Sequence, residues 1–138
     1  MRKSFFAVLC AAAVCVAGLM AAEPAPEAFV TVMKSTGASL QKLGKDVDAK
    51  DYDAVAAGAA SIKAGFAGVV GKYFTEKKIA DALESCTAAY KAAGDLEAAA
   101  KAKNDAGIAD ARKALTGACA SCHTAHREKQ PDGTFLVK

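Results

Sequence analysis

The chain has 138 residues, room for one domain, and 53% of them are hydrophobic, although aromatics make up only 7%. Its formal charge of +3 includes Arg2 and Lys3, which read as part of a leader; without those two, 16 of the 18 basic residues remain against 15 acidic ones, a balance of +1. That balance, with no stripe of Arg and Lys interleaved with aromatics, gives no case for nucleic-acid binding.

Residues 1–22 read as a secretory signal peptide. Arg2 and Lys3 form the basic start, an apolar run extends from Phe5 to Ala22, and small residues precede Glu23-Pro24-Ala25-Pro26. Cleavage after Ala22 and export to the periplasm are expected. The competing reading is an uncleaved anchor, since the run is about the minimum that spans a bilayer, but it is rich in Ala rather than Leu. Lipid attachment at Cys15 is disfavoured by the bulky Val14 before it. No second long apolar run is evident, so no stable membrane insertion of the mature chain is expected. Cys10 and Cys15 leave with the leader, and Cys86, Cys119 and Cys122 remain. An odd count with two closely spaced members does not make a disulfide framework.

Residues 23–27 form a Pro/Ala-rich segment, expected to be a mobile tether. Helical spacing then begins at Ala28 and continues through the domain, 28–130. The first helix carries Phe29, Val32, Met33, Thr36, Leu40, Leu43 and Val47 on one face and ends around Gly44 to Asp48. Asp51 or Asp53 can cap the second, which repeats Val55, Ala59, Ile62, Phe66, Val69, Val70 and Phe74. Gly58, Gly65, Gly68 and Gly71 lie within it, each costing about 1 kcal/mol against alanine; either the helix is soft or a neighbour approaches closely.

Thr75 can cap a third helix with Ile79, Leu83, Cys86, Tyr90, Ala93 and Ala100, with a break or bend at Gly94-Asp95. After a turn at Asn104-Asp105, a fourth helix runs from about Ala106 to Glu128, with Ile108, Leu115, Cys119 and Cys122 inside. Arg112 and Lys113 read as solvated charges, and Cys86 as a small buried residue. Residues 131–138 form a tail without helical character. The fold class expected is all-α, an antiparallel up-down-up-down four-helix bundle. Four helices rich in Ala and Gly bury little apolar area, and a large cofactor in the core would supply what the side chains lack.

Cys119-Ala120-Ser121-Cys122-His123 is the attachment sequence for c-type haem. Two thiols add across the two porphyrin vinyl groups, and the adjacent imidazole ligates iron. On a helix Cys119, Cys122 and His123 share a face. Export agrees with this, because bacterial haem attachment happens outside the cytoplasm. A thioredoxin-like pair would open a helix after a strand, and no strand pattern precedes this one. A zinc site would need four ligands converging at roughly 2.0 to 2.3 Å, whereas Cys119, Cys122, His123 and His126 spread along two turns. A disulfide has no use for the adjacent histidine. One covalent haem c is the cofactor expected, on the C-terminal helix.

With the haem motif on the last of four helices, the chain resembles the class II cytochromes c, which include cytochrome c prime and the cytochrome c-556 type. The resemblance spans about Ala28 to Lys129 and is strongest at Cys119-Ala120-Ser121-Cys122-His123. The family commonly has a basic residue four positions after the ligand histidine, and Arg127 matches. This implies a partner for a haem propionate or the proximal pocket, the alternative being a solvated helix-end charge. An aromatic usually stands three after the histidine, where this chain has His126. The stretch Gly71 to Lys78, read as joining helices two and three, is shorter than in typical members.

The sixth ligand separates the functions. Met1 and Met20 leave with the leader, so Met33 is the only methionine left. It lies where c-556-type relatives place their ligand methionine; the alternative is a methionine filling space beside the ring. His126 lies one turn beyond His123, on the proximal side, either partly exposed or near a propionate. With His123 and Met33 on iron, the chain is expected to be an electron carrier passing electrons to redox partner proteins. With His123 alone, it would be a five-coordinate binder of NO or CO. An enzyme is not expected, because no distal acid–base pair is evident. The resemblance also implies dimerisation through the first two helices, whose small-residue faces are compatible with a homodimer.

Overall fold

The computed structural model describes residues 22–138. The leader expected over 1–22, with Cys10, Cys15 and Met20, falls outside this range but for Ala22. The described chain is mostly helical, with four helices and a small sheet.

Helix α1 spans Glu27–Asp48, entered from Pro26, whose carbonyl accepts from the Val30 amide at 3.0 Å. Helix α2 spans Tyr52–Lys77. Asp51 caps it by accepting from the Ala54 amide at 3.0 Å, which selects the first of the two expected caps. Helices α3, Ala80–Lys101, and α4, Asp105–His126, follow. Asn104 caps α4 through the Gly107 amide at 3.0 Å. The chain leaves the first three helices through Lys50, Lys78 and Lys103, all left-handed with φ between 51° and 57°. Lysine is unusual there, where glycine is favoured, so these ends lack their common sequence signal.

Thr75 does not cap a helix. Its hydroxyl donates back to the Gly71 carbonyl at 2.8 Å inside α2, and the segment Gly71–Lys77 is helical rather than a connection. The apolar register through Val70 and Phe74 carries the helix on, and α3 starts only after Lys78. Within α2 the stretch Phe66–Val70 is a π-helical turn. The Gly71 amide reaches back to the Phe66 carbonyl, and a Cβ at Gly71 would stand 2.8 Å from that oxygen. The glycine is thus a requirement of the turn. No bend forms at Gly94-Asp95; α3 runs through it.

By length and composition α2 is apolar enough to cross a membrane, against the expectation that no second such run exists. Val55, Ile62, Phe66, Val70 and Phe74 are buried on the face it turns to the other helices, and Ala and Gly raise the average elsewhere. Core helices of water-soluble proteins share this property. Helix α3 packs against both α2 and α4, and α1 against α2. Ala82, Ala89, Ala92, Ala93 and Ala100 are buried on α3, and their small size lets its neighbours come close. Leu43, Ile62, Leu96, Ile108 and Leu115 fill the centre. The backbones of α1 and α4 approach each other little. At one end Arg112 bridges them, half-buried rather than solvated: a Cβ at Gly44 would meet its guanidinium at 3.1 Å.

The sheet joins the two ends of the described chain. Strands β1 (Glu23–Pro24), β2 (Arg127–Lys129) and β3 (Phe135–Val137) are ordered β1-β3-β2, antiparallel throughout. Glu23 pairs with Val137, and Arg127 and Lys129 pair with Val137 and Phe135. The segment expected as a tether therefore supplies a strand, and so does the tail. Helix α4 stops at His126 because Arg127 turns extended, φ −118° and ψ 125°. Gly133, at φ 86°, makes the return, helped by the Asp132 carboxylate accepting from the Thr134 amide at 2.9 Å. Strands of two or three residues are too short to show alternation in sequence.

Candidate functional site

The gap between α1 and α4 is a cleft of about 530 Å³, within the range of small-molecule and cofactor sites. One wall is α1, which presents Phe29, Met33, Gly37 and Gln41 at four-residue intervals, one helical turn apart. Facing it are Cys122, His123 and His126 of α4. Phe74 closes one end. The sheet adds Arg127 and Phe135 to Val137.

Four of the five residues singled out in the sequence, Met33, Cys122, His123 and Arg127, line this one cleft. The fifth, Cys119, lies one turn earlier on α4, partly buried against the core. Phe29, Gly37, Gln41, Phe74 and the sheet residues were not singled out. The α1 members carry a legible signal, the i+4 spacing from Met33; the sheet residues carry none.

All three described cysteines are free thiols. Burial pushes Cys119 and Cys122 up from the ordinary thiol value, Cys122 further through Cys119 and Asp81. Reactive cysteines commonly show the opposite, a lowered value and a ready thiolate. Cys86 is buried, its thiol donating to the Phe66 carbonyl at 3.5 Å, and burial raises it to about 11. Among the described residues no three His, Cys, Asp or Glu side chains converge as they would around a metal ion. A porphyrin iron makes no such demand, because the ring supplies four ligands.

His123 is exposed at the cleft mouth, and partial desolvation there, then the Arg127 charge, lowers it from the ordinary histidine value. Its neutral imidazole, the form that ligates metal, is favoured. His126 is committed elsewhere. Its Nδ1 lies 3.0 Å from the main-chain oxygen of Lys138 and its Nε2 3.1 Å from the Asp81 carboxylate, and its ring tilts against Phe74 at 6.3 Å between centroids. Phe74 in turn meets Phe29 and Tyr73 edge-on. Where the resembled family has one aromatic, this chain has a histidine tied into an aromatic cluster. Arg127 lies over the Phe135 ring at 3.6 Å, a cation–π contact, and among the described residues it forms no salt bridge. Apart from its chain neighbours and the backbone of its own helix, Gly37 has no atom within 4 Å of where its Cβ would stand.

No family model matches the chain, and no curated protein sequence matches it.

Proposed function

We propose that the chain is an exported monohaem c-type cytochrome of the class II kind, an antiparallel four-helix bundle carrying electrons in the periplasm. The observation that carries this reading is that Met33 and His123, from the first and last helices, line one cleft together with Cys122. The haem motif, read from sequence alone, lies beside a largely apolar cleft of about 530 Å³ whose lining includes one further candidate donor, Met33, and this supports the reading.

The residues fit the group. Cys119 and Cys122 would hold it by thioethers: each S–H adds across a vinyl C=C, sulfur bonding one carbon and hydrogen the other, with no oxidant needed. Neutral His123 would be the proximal ligand and Met33 the distal one. Arg127, with no carboxylate partner among the described residues, would meet a propionate. When bound, the haem supplies one-electron exchange between ferric and ferrous iron. The protein's part is to fix both ligands on rigid helices, exclude water with Phe29 and Phe74, and leave an edge open towards a redox partner protein. The small-residue faces of α1 and α2 are compatible with a homodimer.

A second reading, a five-coordinate NO- or CO-binding protein, draws on a different observation: Met33 packs against the core as a space-filling residue would. Spectra of the reduced protein with and without carbon monoxide separate the two. A low-spin spectrum unchanged by the gas, becoming responsive in Met33→Ala, supports the carrier. A spectrum indifferent to that substitution removes Met33 from the iron. Porphyrin that washes out in acid acetone removes the thioethers and the whole reading.

A further inference from the structure

We propose that Gly37 determines which ligand the cleft accepts, its bare backbone letting a broad, flat ring lie flush against α1. The inference rests on the haem reading and adds a residue that the attachment motif does not point to. Gly37 stands in the middle of α1, one turn from Met33 and one turn from Gln41, and all three line the cleft. A glycine in a helix interior weakens it, and other glycines here have a neighbour that accounts for them. Gly44 makes room for Arg112, Gly65 for Val32 and Gly71 for the Phe66 carbonyl. Gly37 has nothing within 4 Å. The protein's own packing therefore gives no reason for it.

Two other helical glycines, Gly68 and Gly117, are equally unopposed. Neither lines the cleft, which makes Gly117 the proper control. What distinguishes Gly37 is that the empty space beside it is the space beside Met33. A broad ring held at Met33 would extend over the adjoining turn of α1. A side chain at 37 would enter the cleft and take space that such a ring would need. A small compact ligand would not need the glycine.

The test compares Gly37→Ala, Gly37→Leu and Gly117→Leu with the unsubstituted protein, in two states. Made without haem-ligation machinery, the apoprotein is expected to melt higher for Gly37→Ala, by about 4 °C, because the helix gains and nothing is displaced. Made in a host with the machinery, haem per chain is expected to stay at the unsubstituted level for Gly117→Leu. For Gly37→Leu it is expected to drop about tenfold, as overfilling a close-fitting site does, with Gly37→Ala between. Circular dichroism of apo Gly37→Leu separates lost loading from lost folding. Full loading of Gly37→Leu overturns the inference and leaves the haem reading standing. A lowered melting temperature for apo Gly37→Ala also overturns it, since the position would then be packed. Unsubstituted protein that leaves the competent host colourless sinks both.

Discussion

His126 and Asp81 meet at 3.1 Å between Nε2 and the carboxylate, joining the last turn of α4 to the first turn of α3. The same imidazole reaches the main-chain oxygen of Lys138 at 3.0 Å through Nδ1, and the Lys138 amide donates to the His126 carbonyl at 3.1 Å. One side chain thus links two helices and the residue that follows strand β3. His126→Ala is expected to lower unfolding stability by about 1 to 2 kcal/mol, from the lost hydrogen bonds and ring packing. The amides of Leu136 and Val137 should then exchange with solvent markedly faster, while those of α3 change little. Uniform loss of protection throughout the chain would show that the residue supports the core generally and not the sheet.

The π-helical turn gives a paired prediction. At Gly71 a Cβ would stand 2.8 Å from the Phe66 carbonyl oxygen, a backbone atom that cannot move without undoing the turn. Gly71→Ala is expected to destabilise by about 1 to 3 kcal/mol. At Gly68, three residues earlier in the same segment, a Cβ meets nothing within 4 Å, and Gly68→Ala should stabilise by about 0.5 to 1 kcal/mol. Denaturant midpoints measured on the two variants should move in opposite directions. Movement in the same direction would remove the turn as the cause.

Strand β1 is anchored at both ends of the pH scale. The Glu23 carboxylate accepts from the Tyr73 hydroxyl at 2.9 Å and pairs with Lys77 at 2.6 Å. Lys77 and then Tyr73 hold it below the usual carboxylate value. A carboxylate lowered in the folded state stabilises above its unfolded value, and the contribution is lost as pH falls through the folded one. Tyr73 is raised to about 12, first by burial and then by Glu23. A raised group contributes fully below its unfolded value of about 10, and the contribution is lost as pH rises towards 12. The anchoring should therefore be complete between those limits. A melting curve taken from pH 3 to pH 11 should lose part of its acid limb in Glu23→Gln and part of its alkaline limb in Tyr73→Phe. Unaltered limbs would place the titrating groups elsewhere.

How much of this was legible follows from period and length. The helical spacing of Phe29, Met33 and Leu43, or of Val55, Ile62 and Phe66, extends over several turns and identifies its elements. The boundaries were less legible. Lys50, Lys78 and Lys103 take the left-handed positions that glycine commonly marks, and Thr75, a good cap by type, lies inside a helix because the apolar register continues past it. The sheet was illegible. Its strands are two or three residues long, one contains Pro24, and its partners come from opposite ends of the chain. The candidate site divides in the same way. Cys119, Cys122 and His123 fall within five residues and can be read directly; Met33 stands out as the one methionine beyond the leader. Phe135 to Val137 enter the cleft only through pairings that no local pattern encodes.

The two thiols of the motif do not occupy equivalent places, and this provides the most direct check on covalent attachment. Both pack at the edge of the core, but Cys122 also lines the cleft beside His123, whereas Cys119 lies a turn away and does not. Either one alone would still tether a porphyrin by its own thioether. Cys119→Ala and Cys122→Ala are each expected to keep haem through acid-acetone extraction, in reduced yield. One vinyl group then stays unreacted and extends the ring's conjugation, so the reduced pyridine adduct should absorb at longer wavelength than that of the unsubstituted protein. The double substitution should release all of its haem. Cys122→Ala should lower the yield more, because it removes the thiol already facing the cleft. An adduct spectrum identical to the unsubstituted protein's in either single variant would mean that the substituted sulfur had never bonded a vinyl carbon.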